Sequence, residues 1–385
     1  MTLPGGTIGI LGGGQLGRML AVPARQLGYG IAVLAPLGDA PALGVADHAI
    51  RASFEDLDAA RHLAALSDVV TYEFENVPAA TARAVAERRP LHPNARLLAL
   101  TQDRNEEHRF VEGLGIATAP GRGVHSGVDL DRALADLGMP CRLKSALGGY
   151  DGGGQLRIVD HASLCDAQDR VAQSVVGGWR LEAEVAFERE VSVVVSRSID
   201  GEIRCFAPFE NDHRGGVLHL TTWPAQGSPR ALARAEEIAC AVAEAGELVG
   251  VMCVECFVSG DDVRVNELAP RVHNSGHLTI EGATVSQFEQ HIRAICGLPL
   301  LAPVRRGGGV AMVNLLGAQD RRRVRVHGAD RALAEPGVHL HVYGKERERH
   351  GRKMGHVTAL ADTPADAAHL ALRAASFLRF DEVKV

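Results

Sequence analysis

G-V-M-C-V-E-C-F-V-S-G-D-D-V-R-V-N-E-L-A-P, residues 250–270, is the stretch on which the fold turns. Two strand-like runs flank the turn sequence Ser259-Gly-Asp-Asp262, so the chain doubles back as a hairpin. With the pairing centred on residue 261, Phe257 faces Val265 and Glu255 faces Glu267, which sets two carboxylates opposite each other with Cβ atoms about 5 Å apart. Like charges so placed repel unless a cation lies between them, and oxygen ligands at that spacing suit Mg2+ with nucleotide phosphates. A slip of one residue would turn one acid to the other face, and an acid paired with Arg264 on the surface is the alternative. Just beyond the second carboxylate, Ala269-Pro270 stops the strand and Arg271, His273, Asn274 and Ser275 follow. A cation with amide and imidazole groups beside a metal–nucleotide site is suited to holding a small anion in line with a γ-phosphate.

Around this hairpin lies a chain of 385 residues, enough for two or three domains. Hydrophobic residues at 46%, a net charge of -6 and a pI near 6.3 leave no basic excess for nucleic acid. No apolar run approaches the roughly 20 residues of a membrane span, and the N-terminus lacks a signal-peptide pattern, so a cytoplasmic protein is expected. The seven cysteines are odd in number and scattered, as reduced thiols would be. Cys253 and Cys256 form the one close pair, but with no second pair or suitably spaced histidine they read as strand residues rather than metal ligands.

Toward the N-terminus, strands and helices alternate. T-I-G-I-L at 7–11 reads as a strand, 15–27 as a helix, G-I-A-V-L-A-P as a second strand, and D-V-V-T-Y-E-F-E at 68–75 as another that ends in two acids before a further helix. This is the pattern of a parallel sheet covered by helices. The turn Gly12-Gly-Gly14-Gln-Leu-Gly17 suits phosphate binding at a helix N-terminus. The second strand ends Leu34-Ala35-Pro36-Leu37, without the acid that a dinucleotide ribose wants, so a phosphate-bearing small substrate is favoured over NAD. A tight turn needed only for helix packing is the other reading. Glu73 and Glu75 share one face of a strand end, where ligands sit in open α/β sheets, although a solvated strand end has the same sequence.

Further on, 101–115 reads as one amphipathic helix, and strands dominate from there to about 300. Lys144 ends a short strand before L-G-G-Y-D-G-G-G-Q, whose glycines suggest a mobile loop with backbone amides that close over anionic oxygens; a plain flexible hairpin is the alternative. The loop lacks the Gly-Lys-Ser/Thr of a Walker A sequence. P-V-R-R-G-G-G at 303–309 reads as a linker into a small strand-rich segment that ends in a helix from Pro364. There Tyr343-Gly-Lys345 and the run Arg349 to Lys353 form a basic cluster, either a solvated face or a phosphate site. The expected fold class is α/β and α+β, with a Rossmann-like parallel-sheet domain at 1–102, a central domain at 103–300 and a small C-terminal domain at 301–385.

G-G-G-Q-L-G-R-M, K-S-A-L-G-G-Y-D-G-G-G-Q, V-E-C-F, N-E-L-A-P-R-V-H-N-S-G-H and G-R-K-M-G-H together resemble the 5-(carboxyamino)imidazole ribonucleotide synthetases, an ATP-grasp family, over nearly the whole chain. The resemblance implies an ATP-grasp fold for the central domain, a homodimer, and a ligase of purine biosynthesis. ATP would phosphorylate bicarbonate to carboxyphosphate, and the amine of 5-aminoimidazole ribonucleotide would be carboxylated, directly or through released CO2, leaving ADP and phosphate.

Residue by residue, the resemblance places Arg104 and Lys144 on the ATP phosphates, beneath a loop made of Gly149, Tyr150, Asp151, Gly152, Gly153, Gly154 and Gln155. Glu182, Ala183 and Val185 would border the adenine, Glu190 the ribose, and His213 the nucleotide. Glu255 and Glu267 would hold Mg2+, with Asn266 beside them. Gln15, Leu16 and Glu73 would face the aminoimidazole ribonucleotide, whose site Asn274, Lys345, Arg352 and Lys353 would complete, the cations holding its phosphate. Arg271 and His273, acting with Asn274 and Lys353, would stand at bicarbonate and its phosphorylated form. Two departures remove charge near ATP: Gly153 stands where a basic residue is expected, and Lys144 precedes Ser-Ala-Leu rather than the usual basic pair. Ala183 replaces a longer polar residue. The nearest rival is the formate-dependent glycinamide ribonucleotide transformylase, which carries an aspartate where this chain has Asn274.

Overall fold

The computed structural model describes residues 1–148, 154–173 and 176–382. Strands Thr7–Leu11, Gly30–Ala35, His48–Arg51 and Val69–Tyr72 form a parallel sheet in which Thr7–Leu11 lies between Gly30–Ala35 and Val69–Tyr72. Their near-continuous apolar runs are those of strands covered on both faces, except for His48–Arg51, an exposed edge strand that no apolar pattern announces. The strand order reverses beside Thr7–Leu11, so the crevice past its carboxyl end and that of Val69–Tyr72 is the topological switch point. The glycine turn and Glu73 both emerge there. The strand expected to run to residue 75 stops at Tyr72. Glu73 and Glu75 therefore belong to the following turn and point to different partners, not to one strand face.

The single helix expected over 101–115 is two, Ala95–Gln102 and Arg104–Gly113. Asp103 between them has extended backbone, and its carboxylate accepts from the Asn105 and Glu106 amides, so it caps a new helix instead of continuing the old one. Residues 103–300 also hold more helix than their sequence suggests. Gly127–Leu137 and His161–Ala172 pack on a small antiparallel sheet of Gly121–Val124, Trp179–Ala183, Cys141–Ser145 and Gln155–Ile158. Pro229–Ala245 and Gln287–Cys296 pack on a larger one.

That larger sheet runs Asp262–Ala269, Gly250–Ser259, Arg189–Arg197, Phe209–Arg214, Val217–Trp223, Gly309–Leu316, Lys353–Ala361, Val338–Val342. Its last three strands come from the segment expected to stand apart. They extend the central sheet directly, through the pairing of Val217–Trp223 with Gly309–Leu316. Helix Pro364–Ser376 covers them as expected, and a final strand, Arg379–Glu382, returns to pair with Val324–His327.

The N-terminal sheet is joined to the large one just as closely. Ile8, Ile10 and Leu20 share one core with Phe206, Phe209, Trp223, Phe288 and Ile292. His291, fully buried on helix Gln287–Cys296, bridges the two: its Nδ1 accepts from the Val251 amide at 3.0 Å, and its Nε2 lies 2.8 Å from Thr71 Oγ1. Since a backbone N–H only donates, Nε2 carries the ring proton and donates to Thr71.

Candidate active site

The hairpin turns through Gly260-Asp261, Ser259 pairing with Asp262, and Gly260 takes φ +56 at the first loop position, where glycine is favoured. This turn sits half a residue from the expected centre, and Phe257 accordingly faces Arg264, not Val265. A bulge then intervenes: Asn266 is the extra residue, and beyond it Glu255 faces Glu267 after all. Arg264 pairs with Asp262 at 2.8 Å and neutralises neither acid. Glu255 is buried, whereas the Glu267 side chain is 48% exposed. Burial and the facing Glu267 push the Glu255 carboxyl up to about 8. The two thiols of the hairpin belong to cores on opposite faces of the sheet, Cys253 to one and Cys256 to the other, so they do not act as a pair. Cys253, Glu255 and His273 do bring donor atoms within 4.8 Å of one another.

A cleft of about 700 Å³ runs from this hairpin toward the small sheet on one side and the glycine turn on the other. Arg104, Lys144, Gly154, Gln155, Glu190 and His213 line one end, Glu255, Asn266 and Glu267 its middle, and Arg271, His273, Asn274, Lys353, Gln15 and Leu16 the other end. Ala183 and Val185 do not line it. Gly149, Tyr150, Asp151, Gly152 and Gly153 lie outside the described residues.

At the end lined by Arg104 and Lys144 the organising group is Glu182. Arg180 and Glu182 are two apart on one strand and so share a face, while Lys144 lies opposite Arg180 on the next strand. Buried beneath the cleft, the Glu182 carboxylate takes Arg104 Nε at 2.5 Å, Lys144 Nζ at 2.8 Å and Arg180 Nε at 3.4 Å. Burial opposes its charge, but Arg104 and Lys144 hold it far below the usual carboxylate range. Its side chain therefore sets the cations in place and is not directed at a base. Arg104 also reaches the Asn266 carbonyl at 3.1 Å and Glu267 at 3.7 Å, linking the cations to the acid pair. Glu190 pairs with His213 Nδ1, and although burial disfavours the imidazolium, this hydrogen bond and the charge of Glu255 raise its pKa. Phe187 and Phe257 stack beside them, ring centroids 4.6 Å apart.

Beyond the acids, His273 Nε2 lies 3.2 Å from Glu255 Oε1, and Arg271 pairs with Glu75 at 2.8 Å. Burial, then Arg271 and Lys353, keep the His273 ring neutral. Both amide atoms of Asn274 are buried at the cleft wall without a hydrogen-bond partner among the described residues, a cost of about 1–3 kcal/mol each that a bound ligand would relieve.

The glycine turn departs from expectation. Glu73 Oε1 accepts from the Gly14 amide at 2.8 Å and Oε2 from the Gly17 amide at 3.3 Å. The helix N-terminus that was assigned to a substrate phosphate thus holds a carboxylate of the protein itself, and a Cβ at Gly12 would come within 2.5 Å of it. Basic side chains gather nearby. Lys345 Nζ donates to the Lys353 carbonyl at 2.6 Å, and burial with the neighbouring Arg352 pushes Lys345 down to about 7. Arg352 is held by Asp39 at 2.6 Å.

Several groups that shape the site gave no sequence signal. Gln287 is fully buried and clamps the His273 peptide, its Oε1 accepting from the His273 amide at 2.9 Å and its Nε2 donating to the His273 carbonyl at 2.6 Å. Glu107, pushed up to about 8 by burial, accepts from the Leu268 amide at 2.6 Å and fixes the end of the hairpin. Arg180 joins the cluster on Glu182 only through strand pairing. The motif R-V-H-N-S pointed to this neighbourhood but not to its supports.

Residues 6–102 match the ribonucleotide synthetase preATP-grasp domain, 109–288 the ATP-grasp domain, and 310–370 the phosphoribosylaminoimidazole carboxylase C-terminal domain. The N5-carboxyaminoimidazole ribonucleotide synthase of Bacillus subtilis (strain 168) is 41% identical over 92% of this chain and 91% of its own. A crystal structure of an N5-carboxyaminoimidazole ribonucleotide synthetase in complex with ADP superposes with a TM-score of 0.90 at 42% identity, covering 97% of each chain. The enzyme of Aspergillus clavatus in complex with ADP and 5-aminoimidazole ribonucleotide does so at 0.87 and 30%, over 97% of this chain and 98% of that one. With hairpin, cation cluster and switch-point crevice arranged around one cleft, the chain belongs to the N5-carboxyaminoimidazole ribonucleotide synthase family of ATP-grasp ligases.

Proposed function

We propose that the protein carboxylates 5-aminoimidazole ribonucleotide with ATP and bicarbonate in purine biosynthesis, giving N5-carboxyaminoimidazole ribonucleotide, ADP and phosphate. The observation that carries this is the continuity of one cleft from the cations on Glu182, past the facing Glu255 and Glu267, to Arg271, His273 and Asn274.

Arg104 and Lys144 meet the phosphates of ATP, with Gly154 and Gln155 lining the cleft with them, and Glu190 and His213 border the ribose. Glu255 and Glu267 fit Mg2+: both offer oxygen, Asn266 stands beside them, and the raised carboxyl of Glu255 marks a charge awaiting a counter-ion. The ion would offset charge on the phosphate oxygens. Arg271, His273 and Lys353 hold bicarbonate so that its oxygen attacks the γ-phosphorus and ADP leaves. On the ribonucleotide side Gln15, Leu16, Glu73 and Asn274 orient the aminoimidazole, while Lys345, Arg352 and Lys353 hold its phosphate. The amine nitrogen then bonds to the carboxyl carbon of carboxyphosphate, or of CO2 released from it, as phosphate departs and the amine gives up a proton.

This reading places the enzyme in the cytoplasm as a homodimer, which sedimentation would check; among the described residues no helix is long and apolar enough to cross a membrane. The functional test is ADP release with Mg-ATP and bicarbonate, with and without 5-aminoimidazole ribonucleotide, beside a reaction with formate and glycinamide ribonucleotide. Release that requires the aminoimidazole substrate is expected. Release only with the glycinamide pair would overturn the assignment.

A further inference from the structure

His273 is the last member of a buried row of polar side chains that crosses the large sheet beneath the cleft. Thr221 Oγ1 lies 3.0 Å from Asn211 Oδ1, Asn211 Nδ2 is 2.9 Å from Ser192 Oγ, Ser192 Oγ is 2.8 Å from Ser275 Oγ, and Ser275 Oγ is 2.8 Å from His273 Nδ1. Ser192, Thr221 and Ser275 are fully buried. Pairing aligns the first three residues on one sheet face: Asn211 faces Thr221 on one side and Glu190 on the other, and Ser192 is two residues along the strand from Glu190.

In such a row the hydrogens run one way or the other, and the two directions leave the imidazole proton on different nitrogens. The Nδ1 end of the ring selects one of them. At Nδ1 the Ser275 backbone N–H approaches at 3.3 Å, and since it only donates, Nδ1 accepts. At Nε2 a Glu255 oxygen lies 3.2 Å away. With Nδ1 accepting, the Ser275 hydroxyl donates to it, Ser192 donates to Ser275, the Asn211 amide donates to Ser192, and Thr221 donates to the Asn211 carbonyl. Gln287 grips the His273 peptide on both sides, so the ring's anchor is fixed as well as its proton.

We propose that Thr221, Asn211, Ser192 and Ser275 are positioning residues that hold His273 as the Nε2–H tautomer, so that it offers the anion beside Glu255 a hydrogen-bond donor and not a base. What the donor acts on rests on the carboxylation reading above; the tautomer does not.

The test pairs imidazole 1H–15N correlation spectra of the histidine-labelled full chain, with the His273 signals assigned through His273→Gln, and steady-state kinetics of ADP release. Wild-type protein should show the Nε2–H form. Asn211→Asp keeps the shape but replaces the donating amide with an acceptor, reversing the row. It should introduce the Nδ1–H form and lower kcat about tenfold while the KM for ATP stays within about twofold. Thr221→Val, which removes only the far donor, should move both readouts the same way by less. An Nδ1–H ring in the wild type would overturn the proposal, as would an Asn211→Asp protein whose kcat falls with an unchanged spectrum or stays at the wild-type value. The spectrum is read without substrate, so it judges the relay even if the turnover assay goes against the proposed reaction.

Discussion

Glu73 sits so close beneath Gly12 that the glycine serves the acid rather than a phosphate. Gly12 adopts φ +124, and a methyl there would strike the carboxylate that Gly14 and Gly17 hold. Gly12→Ala should therefore cost about 1–3 kcal/mol of stability and raise the KM for the ribonucleotide, with the ATP KM unmoved; urea midpoints and initial rates check both. Glu267 is a different case, half-exposed and facing a buried acid. Glu267→Gln should leave stability within about 0.5 kcal/mol, since a surface amide replaces a surface carboxylate and relieves repulsion on Glu255. Turnover should fall at least about 100-fold through loss of a carboxylate at the proposed cation site, and wild-type turnover in that variant would sink the metal assignment. The facing acids were legible because a strand's alternation fixes faces. The Asn266 bulge was not, because an extra residue leaves no mark in that alternation; two offsets of opposite sense, turn and bulge, cancelled to give the expected pair. Glu182 was legible as a motif member, but not as the anchor of three cations, which come from three separate elements.

Among the elements, helix Gln287–Cys296 does most to join the molecule, and His291 is its key. Burial holds the ring neutral, down to about 3 from an ordinary 6.5. As pH falls the unfolded chain takes up this proton first, so the contribution is complete above about 6.5 and is lost progressively toward 3, at up to about 1.4 kcal/mol per pH unit. His291→Leu should lose about 2–3 kcal/mol at neutral pH through the two broken hydrogen bonds. Its stability should also decline less steeply with acid, by about one proton in the slope of urea-measured stability against pH. A slope equal to wild type would mean that His291 is protonated in the fold. His108, also driven down to about 3 by burial, keeps the variant's slope from vanishing. Helix Gln15–Gln26 and strands Thr7–Leu11 and Gly30–Ala35 were readable from local periodicity. Strand His48–Arg51 was not, since it is an exposed edge with no apolar alternation, and the break at Asp103 was hidden because a capping aspartate has the same sequence as a solvated one.

For the whole molecule, three sequence matches and one continuous sheet describe different things. The boundaries at 102 and 300 mark where sequence character changes, and local pattern carries no information on which strand edges meet across them. The shared core of N-terminal and central residues and the shared sheet of central and C-terminal residues predict one cooperative unfolding transition, coincident in far- and near-ultraviolet circular dichroism. The pairing of Val217–Trp223 with Gly309–Leu316 also governs how the protein can be taken apart. A chain cut after residue 300 would retain every acid of the hairpin and the His273 that follows it but bare the backbone of Val217–Trp223 along a sheet edge, with Trp223 and Leu218 uncovered beside it. Unpaired strand backbone of this kind recruits other strands. Such a fragment should therefore be recovered as aggregate, by light scattering, instead of as a small working ligase, and the C-terminal segment acts as a seal on the sheet.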